Sequence, residues 1–381
     1  MTREFNSFDH MYYRRMPIEV ESPEQLGYDS IRNNLSESSY TDAFFRDIEL
    51  GTDLRDLVLC YGSHAGHDRL RELLVQGTAL KKDDILLTIG AAGALFIIAT
   101  TLLEKDDELI VVRPNYATNI ETPRAIGAAI QYIDLSFAEG FALDIEKIRA
   151  AISPKTKYIS VTHPHNPTGV CLTEKEIQTL GRLAEEKGIR LLVDETYRDM
   201  VFGEQLPLAA SFSPRIISVS SLSKTYGLPG LRTGWIICRD PLLMENFLAA
   251  KEQIHICGPV LDEELAYRYL LHKDKYFDRI QKDIFEKFQI VKNWILQEEN
   301  FEWVEPRGGC VCFPRMKYPE KVDKDQFYHL LLEKYGTYVG PGHWFEMPRH
   351  YMRVGFGWPT KEELREGLEG ISKSLEEASR R

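Results

Sequence analysis

From about residue 65 to 240 the chain repeats one motif: a short apolar run, a few turn residues, then a stretch with helical spacing. The runs are "DILLTI", "ELIVVRP", "AAIQYIDL", "KYISVTHP", "IRLLVDE" and "RIISVSS". They are mostly continuous rather than alternating in polarity, which suits strands buried on both faces of a parallel sheet. The clearest helix between them follows Thr173, where "LTEKEIQTLGRLAEEKG" offers a capping box from Thr173 to Glu176. Leu172 against Ile177 makes a hydrophobic staple there, and Gly188 a C-cap. Strand–helix alternation over this length predicts an α/β unit with a mostly parallel, helix-covered sheet.

Beyond it, "YFDRIQKDIFEKFQIVKNWIL" places Phe277, Ile280, Ile284, Phe288, Val291 and Ile295 at steps of three and four, predicting one long amphipathic helix. "FEWVEPRGGCVCFPRM" reads as strand–turn–strand and "KEELREGLEGISKSLEEASRR" as a terminal helix. The expected division is an N-terminal segment at 1–50 packing with the small domain, a large domain at 51–275, and a smaller α+β domain at 276–381.

Composition adds exclusions. The 381 residues are 43% hydrophobic and 28% charged, with 18 Tyr and 18 Phe, so a packed core is expected rather than disorder. A formal charge of -11 argues against nucleic acid as a partner. No apolar run reaches the roughly 20 residues that span a bilayer, and "MTREFNSFDHMYYRRMPIEV" lacks the apolar core of a secretory signal. Cys60, Cys171, Cys238, Cys257, Cys310 and Cys312 show no C-x-x-C spacing and read as thiols of a reducing compartment, so the cytoplasm is the expected location.

Ligands of open parallel sheets bind at the carboxyl ends of the strands, and several polar residues fall there. "LLVDETY" carries Asp194 onto a strand end, either as the N-cap of a following helix or as a buried carboxylate that needs a cationic partner. "HPHNPTGV" holds Asn166 in what is, taken alone, a turn. "TIGAAGALF" brings Gly90 and Gly93 to a strand–helix junction, where exposed N–H groups suit an anion and small residues equally suit tight packing. "SVSSLSKTYGLPGLRTGW" sets Lys224 between an apolar run and a glycine–proline loop, with Arg232 eight residues on. The histidines of "HAGH", His64 and His67, lack an evident third ligand for a metal.

On these residues the chain resembles class I/II aminotransferases, fold-type I enzymes dependent on pyridoxal 5′-phosphate (PLP) and typified by aspartate aminotransferases. "SLSKTYGLPGLRTGW" looks like the family's S-x-S-K-x-x-G-x-x-x-x-R-x-G signature, and "NPTG" and "DETY" precede it in the family's order. The likeness runs from about residue 55 to 360. It implies that Lys224 forms the internal Schiff base with PLP and then shuttles a proton between the substrate Cα and C4′ of the cofactor. That role needs an amine pKa well below the free value near 10.4. Asp194 would pair with the pyridine nitrogen, Asn166 and Tyr197 would hydrogen-bond the phenolic oxygen, and Tyr116 would stack on the ring. The phosphate would rest on the backbone of Ala91 and Ala92, on Ser221 and on Arg232. Tyr61 would reach the phosphate of a partner subunit, implying a homodimer. Arg353, alone equally an ion-pairing residue on a strand, would bind the substrate α-carboxylate.

The expected activity is transfer of the amino group of an L-amino acid to a 2-oxo acid. The same groups would serve a lyase (β-elimination, C–S cleavage) or an amino-acid cyclase. A PLP-binding regulator is the other class. The residues before the matched region are not basic and show no helix-turn-helix pattern for one. Two departures stand out. The phosphate turn "GAAG" leaves only backbone donors. The N-terminal loop "IRNNLSESSYTDAF" is polar and glycine-free where relatives are Gly-Pro-rich, so Asn34, Ser36 and Ser38 either contribute polar contacts to the substrate or, the blander expectation, lie on a surface loop. His163 and His165 flank the N-P-T-G turn, and Trp344 lies in "GPGHWF", each either at the pocket or in packing. No second arginine for a dicarboxylic substrate is identified. The surrounding histidines and tyrosines suit a polar or aromatic one.

Overall fold

Alternate side chains of one strand point to opposite faces, and the central strands use both faces for apolar contact. The structure, a computed structural model, describes residues 11–50 and 54–379. The first ten residues of the N-terminal segment, the boundary at residue 51 and the last two residues of the chain lie outside the described residues. The strands are β1 (Asn33–Leu35), β2 (Ile85–Ile89), β3 (Glu108–Arg113), β4 (Ala129–Asp134), β5 (Thr156–Thr162), β6 (Arg190–Asp194), β7 (Ile216–Ser221), β8 (Thr233–Cys238), β9 (Phe301–Glu302), β10 (Val311–Cys312), β11 (Arg315–Met316), β12 (Thr337–Pro341) and β13 (Met352–Gly355).

Seven strands form one sheet in the order β2-β8-β7-β6-β5-β3-β4. In β3, Leu109 and Val111 enter one core with the helices Gly90–Leu102 and Pro241–His255. Ile110 and Val112 enter another with the helix Glu174–Lys187. β5 and β6 divide in the same way: Tyr158 and Leu192 face the first core, Ile159, Val161, Leu191 and Val193 the second. This two-sided burial explains the continuous apolar runs. Two details differ from the expectation. β4 is an edge strand and exposes Ala129, Gln131 and Asp134, so it is not covered on both faces. β8, which the apolar runs above do not include, inserts antiparallel between β2 and β7.

The helix Glu174–Lys187 starts with the expected capping box, Thr173 Oγ1 accepting from the Glu176 N–H, and ends at Gly188 with φ of 70°. The terminal helix, Lys361–Ala378, opens on a second box between Thr360 and Glu363.

A second sheet, β1-β12-β13-β10, brings together the two ends of the sequence, with β1 parallel to β12. "FEWVEPRGGCVCFPRM" does not fold into a simple hairpin: β9 pairs with β11, while β10 turns aside to pair with β13. The long helix spans Lys273–Gln297 and buries Ile280, Ile284, Phe288, Val291 and Ile295. It also buries Lys287, whose Nζ donates to the Gly357 carbonyl at 2.9 Å and pairs with Asp283 at 2.8 Å. That bond ties the long helix to the turn that follows β13.

Phe288 packs its ring 4.7 Å from Phe202 and about 6 Å from Trp303 and Phe356, so it joins the long helix to the segments that follow β6, β9 and β13. Phe288→Ala is expected to cost about 3–5 kcal/mol, lowering the denaturant midpoint in equilibrium unfolding. A midpoint within error of wild type would contradict this packing.

Candidate active site

Four chain segments meet at the carboxyl edge of the large sheet. The first is the junction between β2 and its helix. Gly90 takes φ of +66°, and a Cβ on it would lie 2.5 Å from Arg232 Nη2. The Gly90 N–H donates to the Arg232 carbonyl at 2.6 Å, and Arg232 itself adopts φ of 47° to offer it. The following N–H groups, from Ala91 and Ala92, are in the first helical turn, which has no side-chain cap. Gly234 in β8 permits the approach, since its Cβ would lie 2.7 Å from Ala91 N. A helix N-terminus with a guanidinium beside it is an anion cradle. Ser221, buried at the end of β7, lies on the loop that joins this cradle to Lys224.

The second segment is the end of β6. Asp194 is 6% exposed, and its Oδ1 accepts from the Thr196 N–H at 3.0 Å and the Thr196 hydroxyl at 2.6 Å. Neither recorded bond uses Oδ2, and among the described residues Asp194 has no ion pair. Burial raises its pKa, which the Thr196 bonds and the Lys224 charge oppose. Tyr197 is buried with no hydrogen bond recorded for its Oη among the described residues, and burial drives its phenol well above its ordinary range, with Ser38 the nearby hydroxyl opposing.

The third segment follows β5. Asn166 is buried and its Oδ1 accepts from Arg353 Nη1 at 3.2 Å. Its turn is held by His165 Nδ1 and Thr168 Oγ1 at 2.7 Å and by His163 Nδ1 accepting from the Leu172 N–H at 3.0 Å. Burial holds both imidazoles down to about 4, so both are neutral at pH 7. They act in the turn through these bonds.

The fourth is β13. Arg353 is 4% exposed and donates from Nη2 to the Ser36 carbonyl at 2.6 Å. Its guanidinium lies 5.0 Å from the Phe345 ring centroid and 6.0 Å from that of Trp344, so Trp344 is a wall of the arginine's pocket. Its Nε is buried without a partner, and among the described residues no carboxylate pairs with it. Burial lowers its pKa, against the pull of Tyr197, Glu37, Cys310 and Tyr116.

Lys224 stands among these groups. Its Nζ makes no hydrogen bond or ion pair among the described residues, and its amine is pulled below the ordinary value by burial and then by Arg353, with Glu37 opposing. Tyr116, half-buried at the end of β3, shares this electrostatic neighbourhood with Asp194 and Arg353. Tyr61 is not brought to the cluster: it is 79% exposed, on a loop where Val58 and Leu59 are 70% and 79% exposed. His64 and His67 contact Glu252 and Glu264 instead.

One expectation is overturned. Asn34, Ser36 and Ser38 are 2%, 1% and 4% exposed, not on a surface loop. Their segment is clamped by backbone: the Tyr40 N–H donates to the Lys224 carbonyl and the Ala43 N–H to the Gly227 carbonyl, each at 2.8 Å. Gly227, Gly355 and Gly357 make room for it, since a Cβ on each would strike the carbonyl of Thr41, Glu37 or Ser39. The sequence reading therefore missed Glu37, a half-buried carboxylate whose charge neighbours include Lys224 and Arg353, and Cys310, whose thiol burial pushes up to about 12. The available signal was the glycine spacing in "VGFGW", which marks a close backbone approach.

Gly227→Ala adds a methyl at φ of +61° against the Thr41 carbonyl and is expected to displace this segment from Lys224. The expected cost is about a hundredfold in kcat/KM with a folded protein by circular dichroism. Wild-type kinetics would show that the clamp is dispensable.

The sequence matches the family "Aminotransferase class I and II" over residues 46–371. Capreomycidine synthase from Streptomyces vinaceus is 30% identical over 331 residues, 86% of this chain and 84% of that protein. A probable aspartate/prephenate aminotransferase from Aquifex aeolicus is 28% identical, covering 85% of each. Among solved structures, a PLP-dependent aminotransferase from Streptococcus suis superposes with a TM-score of 0.87 at 28% identity, covering 95% of this chain and 98% of that one. The PLP-dependent cyclase OrfR gives 0.85 at 26%, covering 96% and 98%. With the fold-type I architecture and a family match over most of its length, this chain belongs to the class I and II aminotransferases.

Proposed function

We propose that the protein is a PLP-dependent aminotransferase that moves the amino group of an L-amino acid to a 2-oxo acid. The observation that carries this reading is that Asp194, Lys224 and Arg353 converge at one sheet edge, Asp194 and Arg353 buried and Lys224 half-buried, and none ion-paired among the described residues. Charges so placed fit PLP and an amino acid group by group. Asp194 Oδ2 would accept from the protonated pyridine nitrogen, a cation that relieves the burial penalty on the carboxylate. Asn166 and the Tyr197 Oη would hydrogen-bond the phenolic oxygen, with Tyr116 against the ring. Ala91 and Ala92 N–H groups, Ser221 and Arg232 would hold the phosphate, in the cradle that a Cβ on Gly90 would fill. When bound, PLP supplies an electron sink for the electron pair of a bond at the substrate's Cα.

The chain's own groups supply the rest. Arg353 would take the α-carboxylate on a guanidinium that has no other anion, fixing the orientation of Cα. Lys224, with its amine pKa depressed, is poised to take the Cα proton as a base and return it as an acid. Water is kept from Arg353 by Trp344 and Phe345, which pack on its guanidinium.

We also propose a homodimer in which Tyr61 reaches the partner's phosphate site. The exposed run of Val58, Leu59 and Tyr61 is apolar surface of the kind subunit interfaces cover. The pairing of β1 with β12 supports grouping residues 1–50 with 276–381, apart from 51–275. Free thiols at the six cysteines suit a cytoplasmic location, and no helix among the described residues is long and apolar enough to cross a membrane. Ring closure on an amino acid is the second reading, favoured by the likeness to a named synthase and a named cyclase.

The deciding assay supplies PLP, a panel of L-amino acids and 2-oxoglutarate or pyruvate, and follows the amino group into the oxo acid. Transfer is expected. Lys224→Ala is expected to lower kcat by about 10⁴-fold or more and Asp194→Ala by about 10²-fold or more, since the first removes the acid–base group and the second the charge opposite the ring nitrogen. Amino acid consumed with no amino group gained by the oxo acid would support ring closure or elimination instead. For the dimer, mixing inactive Lys224→Ala with Tyr61→Ala protein is expected to restore activity above either alone, because a hybrid holds one site with both residues intact. Activity no higher than the average of the two would contradict a shared site.

A further inference from the structure

Glu37 lies on a segment that bonds to both Arg353 and Lys224. Next to it, the Ser36 carbonyl accepts from Arg353, and three residues on, the Tyr40 N–H donates to the Lys224 carbonyl. The Glu37 backbone is fixed as well, for its carbonyl lies where a Cβ on Gly355 would be. Its side chain is half-buried and receives one long hydrogen bond, from Tyr28 Oη at 3.5 Å. Tyr28 in turn stacks on Trp358 at 6.0 Å, and Trp358 Nε1 donates to Asp42 at 3.3 Å.

The two cations of the site are the charge neighbours of Glu37, yet among the described residues neither comes within the 4.0 Å of an ion pair. A carboxylate that merely neutralised Lys224 or Arg353 would gain most by contact, where Coulomb attraction is strongest. Here contact is withheld on a segment held rigid at both ends. The remaining charges facing Glu37 are acidic, Glu24 and Asp42, and Glu19 adds a further negative charge near Lys224. A ligand reaching Glu37 therefore meets one sign of charge beyond Arg353 and Lys224. The second observation that points to a ligand is Arg353 itself, 4% exposed, with a buried Nε and no carboxylate partner.

We infer that Glu37 is a specificity-determining residue that reads a cationic side chain, so that the substrate is a basic amino acid held by its α-carboxylate at Arg353 and by its distal ammonium or guanidinium at Glu37. This rests on the aminotransferase reading and names its substrate class. It narrows the expectation of a polar or aromatic substrate drawn from the nearby histidines and tyrosines; the histidines are neutral and use Nδ1 in the turn after β5.

The test compares L-ornithine, L-lysine and L-arginine with L-norleucine and L-glutamate on the PLP-loaded protein. Binding is read by calorimetry and turnover by 2-oxo product. At least one basic amino acid is expected to exceed norleucine by about tenfold or more in both affinity and kcat/KM. Glu37→Gln is expected to bring the kcat/KM ratio of that basic amino acid to norleucine down to about one, whatever it does to both through Lys224, and Glu37→Asp to restore part of the ratio. Equal losses for every amino acid would reduce Glu37 to a charge-balancing group and overturn the inference, as would a wild-type preference for norleucine or glutamate. Preferential binding of basic amino acids without amino transfer would support the role of Glu37 while removing the aminotransferase reading. Amino transfer without the preference would do the reverse.

Discussion

A charge taken out of water must find a partner or lose its charge, and Asp194, Lys224 and Arg353 find no ion-pair partner among the described residues. Each is a free-energy cost that packing elsewhere must carry. The cost is concentrated where four segments end together, and the groups differ in what they lack. Asp194 lacks a cation, Arg353 an anion, and Lys224 a neighbour that would stabilise its charged form by contact. On the proposed reading, a protonated ring nitrogen would meet Asp194, an α-carboxylate Arg353, and the cofactor's aldehyde carbon the neutral amine of Lys224. The site is thus built as three unmet electrostatic demands on a rigid scaffold, which is how a protein reserves binding energy for a cofactor and substrate.

The scaffold explains why these demands are not relieved by local collapse. β5 and β6 run parallel between two apolar layers and deliver Asn166 and Asp194 at neighbouring positions, Thr162 and Asp194 being register partners. β13 is fixed by β10 and β12 on its two sides, so Arg353 cannot swing toward a carboxylate elsewhere. The segment from Ser36 to Ala43 then ties the two sheets by hydrogen bonds to Arg353, Lys224 and Gly227. Lys287 adds a strut from the long helix to Gly357.

How much of this the sequence disclosed follows from the range of each interaction. Local signals were legible: the capping box at Thr173, the αL glycine at 188, the apolar stripe of the long helix and the two-sided burial of β3, β5 and β6. The residues proposed for the cofactor were also singled out, because they fall at strand ends within recognisable motifs. Three features were not legible, for one reason. The edge position of β4, the pairing of β10 with β13, and the burial of Asn34, Ser36 and Ser38 are all decided by partners distant in sequence. A polar segment such as "LSESS" reads as surface until the glycines that admit it, some 190 to 320 residues later, are placed against it. Glu37 was hidden with that segment.

The central claim is that Lys224 is the amine that holds PLP. The most direct measurement is to load the protein with PLP, reduce it with borohydride, digest it and locate the pyridoxyl group by peptide mass spectrometry. A single modified site at Lys224, absent when an amino acid substrate is present in excess before reduction, is the predicted result. A pyridoxyl group on another lysine, or none at all with PLP in excess, would contradict it.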